Sequence, residues 1–302
     1  MKCPSCGSTA IAVRGQLPVS DYFAGRERRE PLPAGKLVAC EACGLNFRYP
    51  RLPQHVLDDL YRDAGSEVWQ YDPADRIDWD AAWKIAGSLS PGRALDVGCF
   101  DGSFLAGLPE GWARFGVEPS PAAADRARLR NVNILAETFE EVRGSGGAGY
   151  DLITAFDLIE HLPEPNRLVE FAAGALNPGG RLIVGTGDTD APSWHLMGAQ
   201  YWYCAIPEHL SFINERWIRF AAKQSGLAVD HLRRYTHQPR ASVGRRAFEV
   251  AANVAHRISP RITGALRSAG FGGMDVRLDA NKKQFPPLWM SARDHILAVL
   301  RK

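Results

Sequence analysis

From Arg93 onward, short apolar runs alternate with segments whose apolar residues recur every three or four positions. The runs RALDVG, ARFGVEP, NVNILAE, YDLITAF and RLIVGTG read as strands. Between them DGSFLAGL, PAAADRARLR with Pro121 in its first turn, and PNRLVEFAAGAL, stopped by NPGG, carry the helical period, as does the later NERWIRFAAKQSG. Strands alternating with helices need crossover connections, so the pattern predicts an α/β fold with a mainly parallel, doubly wound sheet. LAVDHLRRY adds a strand, and the apolar run Ile296 to Leu300 in DHILAVLRK is typical of a buried one. Upstream, Leu52 to Leu89 is helix-like. Between the last two strands lies an insertion whose helix places Val243, Ala247, Val250, Val254 and Ile258 on one face and Arg245, Arg246, Asn253 and Arg257 elsewhere.

The first fifty residues have few core positions and two Cys-x-x-Cys-Gly knuckles, at Cys3 and Cys6 and at Cys40 and Cys43, separated by loop-like sequence. Two thiolates two residues apart grip one ion, the following glycine permits the turn, and two knuckles complete a tetrahedral four-sulfur set. A segment with so little core folds poorly without such a staple, so these cysteines are expected to hold a structural Zn²⁺. A closed four-sulfur site leaves no open position for chemistry. The expected organisation is a zinc-binding module over 1–51, a helical linker or lid over 52–91, a core over 92–237, the insertion over 238–291 and a closing strand over 292–302.

Charge adds an asymmetry. The formal net charge is +2, yet His231 to Lys302 holds 14 Lys and Arg against 4 Asp and Glu. A basic C-terminal quarter suits an anionic neighbour or a solvated arginine face. No stretch approaches the roughly 18 to 20 apolar residues of a spanning helix, and MKCPSCGSTA lacks the apolar core of a secretion signal, so a soluble cytoplasmic protein is expected.

The first strand-helix turn of a doubly wound fold touches its ligand. Here it is GCFDG, Gly98 to Gly102, with Asp96 inside the strand before it and Glu118 twenty residues beyond Gly98. A carboxylate at that place accepts from two vicinal ribose hydroxyls. The glycines lack the dinucleotide spacing and no Walker lysine follows. Asp96 suits a cationic or zwitterionic ligand such as S-adenosylmethionine.

In their order, LDVGCFDGSFL, GVEPS, YDLITAFDLIEHL, LNPGGRLIVGTGD and PEHLSFI resemble the motifs of class I S-adenosylmethionine-dependent methyltransferases, within a subgroup that carries an N-terminal four-cysteine zinc module and includes sugar and polysaccharide-pathway enzymes. The resemblance implies a Rossmann-like seven-stranded sheet with an antiparallel last strand. It implies that Asp96, Gly98, Cys99, Phe100 and Gly102 lie at the methionine end of the cofactor and that Glu118, followed by Pro119, holds the ribose. Ala136 and Glu137 would lie near the adenine, and Phe156 and Asp157 beside the methionine moiety. Phe100 and Asp101 depart from the family, which has Gly and a small residue there.

Methyl transfer to a hydroxyl also needs a base. His209 in PEHLSF, with Glu208 beside it, is a candidate, or else a residue that packs or caps. His161 in IEHL is a second candidate or a hydrogen-bonding group at a helix start, and Asp157 is a base or a group that fixes cofactor geometry. Trp194, Tyr201, Trp202 and Tyr203 form either a platform for an acceptor or core. The expected acceptor is a hydroxyl of a sugar, nucleotide sugar or glycolipid precursor. An RNA methyltransferase is the alternative, against which the N-terminal segment mixes acidic with basic side chains; a non-catalytic scaffold with a degenerate loop is another. The basic insertion is expected to meet a membrane face or a partner protein.

Overall fold

The computed structural model describes residues 1–24, 26–62, 76–144, 147, 149–268 and 286–302. In chain order the strands are β1 (Ile11–Leu17), β2 (Ser20–Phe23), β3 (Arg26–Leu32), β4 (Gly35–Cys40), β5 (Asn46–Tyr49), β6 (Arg93–Val97), β7 (Ala113–Val117), β8 (Asn133–Ala136), β9 (Tyr150–Phe156), β10 (Leu176–Gly187), β11 (Ser211–Phe212), β12 (Ala228–Tyr235) and β13 (His295–Arg301). The chain folds as two units. One, here the N-terminal unit, joins Met1–Gln70 to Thr189–Phe212 and Thr236–Asp294; the other, the sheet unit, joins Tyr71–Asp188 to Ile213–Tyr235 and His295–Lys302.

The sheet unit realises the predicted α/β architecture. Seven strands lie in the order β12-β13-β10-β9-β6-β7-β8. Neighbours are parallel from β10 through to β8, while β13 runs antiparallel to both β10 and β12. The central strands are apolar on both faces, as a sheet covered on two sides requires, and Leu95, Leu152, Ile183 and Leu297 are fully buried. Ser120 caps the helix Pro121–Leu129 by accepting from Ala123 N, and Asn214 caps Glu215–Gln224 by accepting from Trp217 N. The helix Ile77–Gly87, which falls in the segment read as a linker or lid, is fastened by aromatics: the Trp83 ring stacks on Phe104 and its indole N–H donates to the Phe104 carbonyl at 3.0 Å. Residues 63–75 of that segment lie outside the described residues.

In the N-terminal unit the sequence between the cysteine pairs is not loop, as its pattern suggested, but strands β1 to β4. Their alternation is weak because β3, RERREPL, buries no residue fully and β1 buries only Leu17. An antiparallel sheet forms in the order β1-β4-β5-β11, beside a β2-β3 hairpin. The aromatic run resolves as core: Trp194, Tyr201, Trp202 and Tyr203 are buried in one cluster with Leu17, Leu37, Phe212 and Trp289. The predicted insertion helix is present as Val243–Ile258, but its apolar stripe faces solvent and its buried residues are Glu249, Asn253 and His256. Residues 269–285 of the insertion lie outside the described residues.

Candidate active site

The strand order of the sheet unit reverses between β6 and β9, and a doubly wound sheet binds its ligand at the carboxyl ends there. Asp96 sits on β6, buried, and accepts a 2.6 Å hydrogen bond from Thr154 Oγ1 on β9. Burial pushes its carboxyl up to about 7, against the pull of Thr154 and of the Arg76 charge.

The turn after β6 is fastened to the end of β7. Gly98 N and Cys99 N both donate to the Val117 carbonyl, and Phe100 N donates to Glu118 Oε2 at 2.9 Å. Ser120 N donates to Glu118 Oε1 at 2.9 Å. The buried Glu118 carboxylate is thus aimed by two main-chain donors, and each oxygen keeps a lone pair for a ribose hydroxyl. Burial holds this carboxyl above the ordinary carboxylate range while the two N–H groups draw it down.

Phe100 has φ of +48°, a left-handed conformation that a glycine would adopt without strain. Its ring lies under the Arg126 guanidinium, 5.1 Å away. At Gly102, φ of +76°, an added Cβ would stand 2.9 Å from Val132 Cγ2, so the helix start admits only glycine. The Cys99 thiol is buried over Gly116, and burial pushes it well above its ordinary range. Pro119 is exposed, the Ala136 carbonyl accepts from Glu118 N, and Glu137 is exposed with its N–H on Glu141.

At the end of β9 the Phe156 ring packs 4.8 Å from Phe104. Asp157 takes φ of +48° and donates its N–H to the Gly185 carbonyl. Its carboxylate meets Arg76 Nη1 at 2.9 Å. Arg76 itself is only 4% exposed and grips Asp78 with two donors, at 2.9 and 2.6 Å. The two carboxylates outweigh burial and hold the guanidinium firmly charged. Sequence reading missed Arg76, which belongs to no motif and announces itself only as one charge among several. His161 closes the short 3₁₀ turn Ile159–His161, half-buried, with its N–H on the Leu158 carbonyl.

In the N-terminal unit the two knuckles adopt the same turn: Gly7 N donates to the Cys3 carbonyl and Gly44 N to the Cys40 carbonyl, each at 2.9 Å. The sulfurs of Cys3, Cys6, Cys40 and Cys43 all lie within 4.8 Å of one another, with Cys3 to Cys43 at 3.6 Å and Cys6 to Cys40 at 3.5 Å. Zinc–sulfur bonds of about 2.3 Å in a tetrahedron put sulfurs about 3.8 Å apart, so the donor set fits such an ion.

The knuckle sheet extends into the loop that carries the predicted base, because β11 pairs with β5. From β5, buried Arg48 donates to three main-chain carbonyls, those of His209 (3.2 Å), Cys204 (2.8 Å) and Ile206 (3.0 Å). His209 is 6% exposed, and its Nδ1 lies 3.0 Å from the Tyr203 carbonyl. A carbonyl only accepts, so Nδ1 carries a proton in this contact. Glu208 Oε2 is buried without a hydrogen-bond partner among the described residues, and burial pushes this carboxyl up to about 7 although Arg48 pulls it down.

The structure therefore gathers Asp96, the Gly98 to Gly102 turn, Glu118, Phe156 and Asp157 in the sheet unit, and the four cysteines with Glu208 and His209 in the N-terminal unit.

Comparison with known proteins agrees with the sheet. A family model described as a methyltransferase domain matches residues 55–232. Among curated proteins, a ubiquinone biosynthesis O-methyltransferase from Marinobacter nauticus is 30% identical over 55% of this chain and 76% of its own length. One from Bordetella avium is 28% identical over 54% of this chain and 73% of its own. Among solved structures, a Galdieria sulphuraria protein provisionally named a sarcosine dimethylglycine methyltransferase aligns at a TM-score of 0.50, with 15% identity, over 82% of this chain and 97% of its own. At that identity the likeness shows the fold alone.

Proposed function

This chain belongs to the methyltransferase-domain family and is an S-adenosylmethionine-dependent methyltransferase, and from that premise we propose that its acceptor is a hydroxyl oxygen of a small molecule. The observation that carries the cofactor assignment is the Glu118 carboxylate, aimed by the N–H groups of Phe100 and Ser120 at the point where the strand order reverses. Oxygen as acceptor is supported by the O-methyltransferase names of the relatives. Those names lend no support to the sugar, nucleotide sugar or glycolipid precursor implied by the subgroup resemblance, and they make a ring hydroxyl of a ubiquinone precursor the first acceptor to try.

When bound, S-adenosylmethionine supplies an electrophilic methyl group on a cationic sulfur. The chain's own residues then have separable tasks in this reading. Glu118 accepts from the ribose hydroxyls. Asp96 places negative charge at the methionine end. Arg76 fixes Asp157 so that it shapes this end. His209 is assigned as the base that takes the hydroxyl proton, with Glu208 beside it. His161 is assigned a hydrogen-bonding role in its turn. In the same reading Cys3, Cys6, Cys40 and Cys43 hold a structural Zn²⁺ that braces the sheet to which β11 belongs.

The test is a product screen with isotope-labelled methyl donor against ubiquinone-precursor phenols, nucleotide sugars and lipid-linked saccharides, read by mass spectrometry. Label on a hydroxyl oxygen supports the reading and its arm names the acceptor. Label only on carbon or nitrogen, or on RNA, overturns it.

A further inference from the structure

The helix Val243–Ile258 is built inside out. Its inward face is polar and bonded: Glu249 accepts from Ser291 N, Ser291 Oγ and Arg245 Nε, Asn253 donates to the Glu249 carbonyl, and His256 Nδ1 is 3.0 Å from Thr263 Oγ1. These partners fix the helix rotation, since turning it would strand a buried carboxylate. Among the described residues nothing covers the other face. Val243 is 84% exposed and Ile258 78%, with Phe248, Val250 and Val254 beside them and Ile262 of the next helix, Pro260–Ser268, also exposed. A soluble helix normally hides such a stripe, and an exposed one marks a contact surface.

Charge decides among the occupants. From Thr236 to Ser268 the sequence holds six arginines and one acidic residue, Glu249, which is buried. Arg245 is paired with Glu249 and Arg246 bonds the main-chain carbonyls of Pro239, Ala241 and Ser291, whereas Arg240, Arg257 and Arg261 are exposed, so the charge left outward around the apolar centre is positive. Nucleic acid would answer the arginines and leave the stripe wet. Two copies meeting through this face would bring like charges together. An anionic bilayer answers both features, because acyl chains cover the stripe while lipid phosphates meet the guanidinium groups. Among the described residues no helix is long and apolar enough to cross a membrane, so the helix would lie along the interface.

We propose that the outward face of Val243–Ile258 docks this protein on anionic lipid bilayers. The proposal stands apart from the choice of acceptor.

The test is flotation of the full chain with vesicles of phosphatidylcholine alone or with about one third phosphatidylglycerol. The wild type should float with the anionic vesicles, less at high salt, and stay down with the neutral ones. The double variant Val243→Glu, Ile258→Glu alters the two most exposed positions of the stripe. It should lose at least about tenfold in vesicle affinity, with its thermal melt and cofactor affinity unchanged. A wild type that stays down with anionic vesicles overturns the proposal, as does a double variant that floats like the wild type. Wild-type dimers that the double variant dissociates, without vesicle binding, would instead make this face a self-association surface. If the double variant does not fold, Phe248→Ser alone serves, and unchanged flotation of that variant overturns the proposal.

Discussion

Phe100 and Glu118, on successive turns of the sheet unit, are joined main chain to side chain: the Phe100 N–H donates to Glu118 Oε2 at 2.9 Å. The residue that departs from the family pattern thus orients the carboxylate assigned to the ribose, and it does so through an atom that every residue except proline possesses.

The bond makes Phe100→Gly a mild change. Glycine relieves the strain of φ at +48°, about 1 to 2 kcal/mol, but loses the stacking under Arg126, worth about 0.5 to 1 kcal/mol when exposed, and loosens the unfolded chain. Stability should change little, and S-adenosylmethionine affinity measured by calorimetry should stay equal or improve. Abolished binding would mean that the ring itself contacts the cofactor.

Glu118→Gln is the severe counterpart. An amide presents one oxygen and one NH₂, so either Phe100 N or Ser120 N faces another donor. Cofactor affinity should fall by at least about tenfold, and the melt should drop by an amount equivalent to about 1 to 3 kcal/mol. A variant that binds as the wild type does removes Glu118 from the ribose site.

With the Asp96 carboxyl pushed by burial to about 7, the proposed cofactor site should bind in a pH-dependent way. Below that value the group is neutral and above it anionic, so affinity for the cationic cofactor should rise between about pH 6 and 8. Folding runs the other way. The folded carboxyl holds its proton more tightly than the unfolded one at 3.8, so this group's contribution to stability falls as pH climbs from about 4 to 7. Asp96→Asn should flatten both curves. A binding curve that keeps its slope in that variant points to another titrating group.

Arg76→Met should be among the most damaging single changes. It leaves Asp78, 1% exposed, and Asp157 without the guanidinium that compensates them. Breaking a buried pair from one side costs about 3 to 5 kcal/mol, which urea unfolding can read. A loss under about 1 kcal/mol would show that the two carboxylates are hydrated or protonated.

Chelation of the cysteine cluster, or Cys40→Ser, should separate the two tasks. β4, which ends at Cys40, pairs with β5, and β5 carries both β11 and the Arg48 clamp on the Glu208–His209 loop. Methyl transfer should fall by at least about tenfold, while calorimetry still detects cofactor binding to the sheet unit. Full activity after verified metal removal would leave the cysteines without a structural task.

The sheet was legible because each strand from β6 to β9 is a short, mainly apolar run set off by helical periodicity, as are the second half of β10 and most of β13; the first half of β10, LNPGG, reads as a helix stop and is drawn into the strand only by its pairing. The four cysteines were legible because their spacing repeats. Other features leave no trace in a single window. Arg76 and Asp157 meet across 81 positions, and β11 is two residues long and recognisable only from its pairing with β5. The insertion helix shows the limit of periodicity: its pattern gave an amphipathic helix without telling which face would be buried, and here the polar one is.

Arg48 reaches the loop at Cys204, Ile206 and His209 through carbonyl oxygens alone. What the clamp fixes is the path of the chain, while the side chains there are held by their own contacts, Cys204 and Ile206 in the aromatic core and His209 on the Tyr203 carbonyl. The reach of Arg48 to three carbonyls depends on the guanidinium fork, so one side chain sets the course of the whole segment from Cys204 to His209.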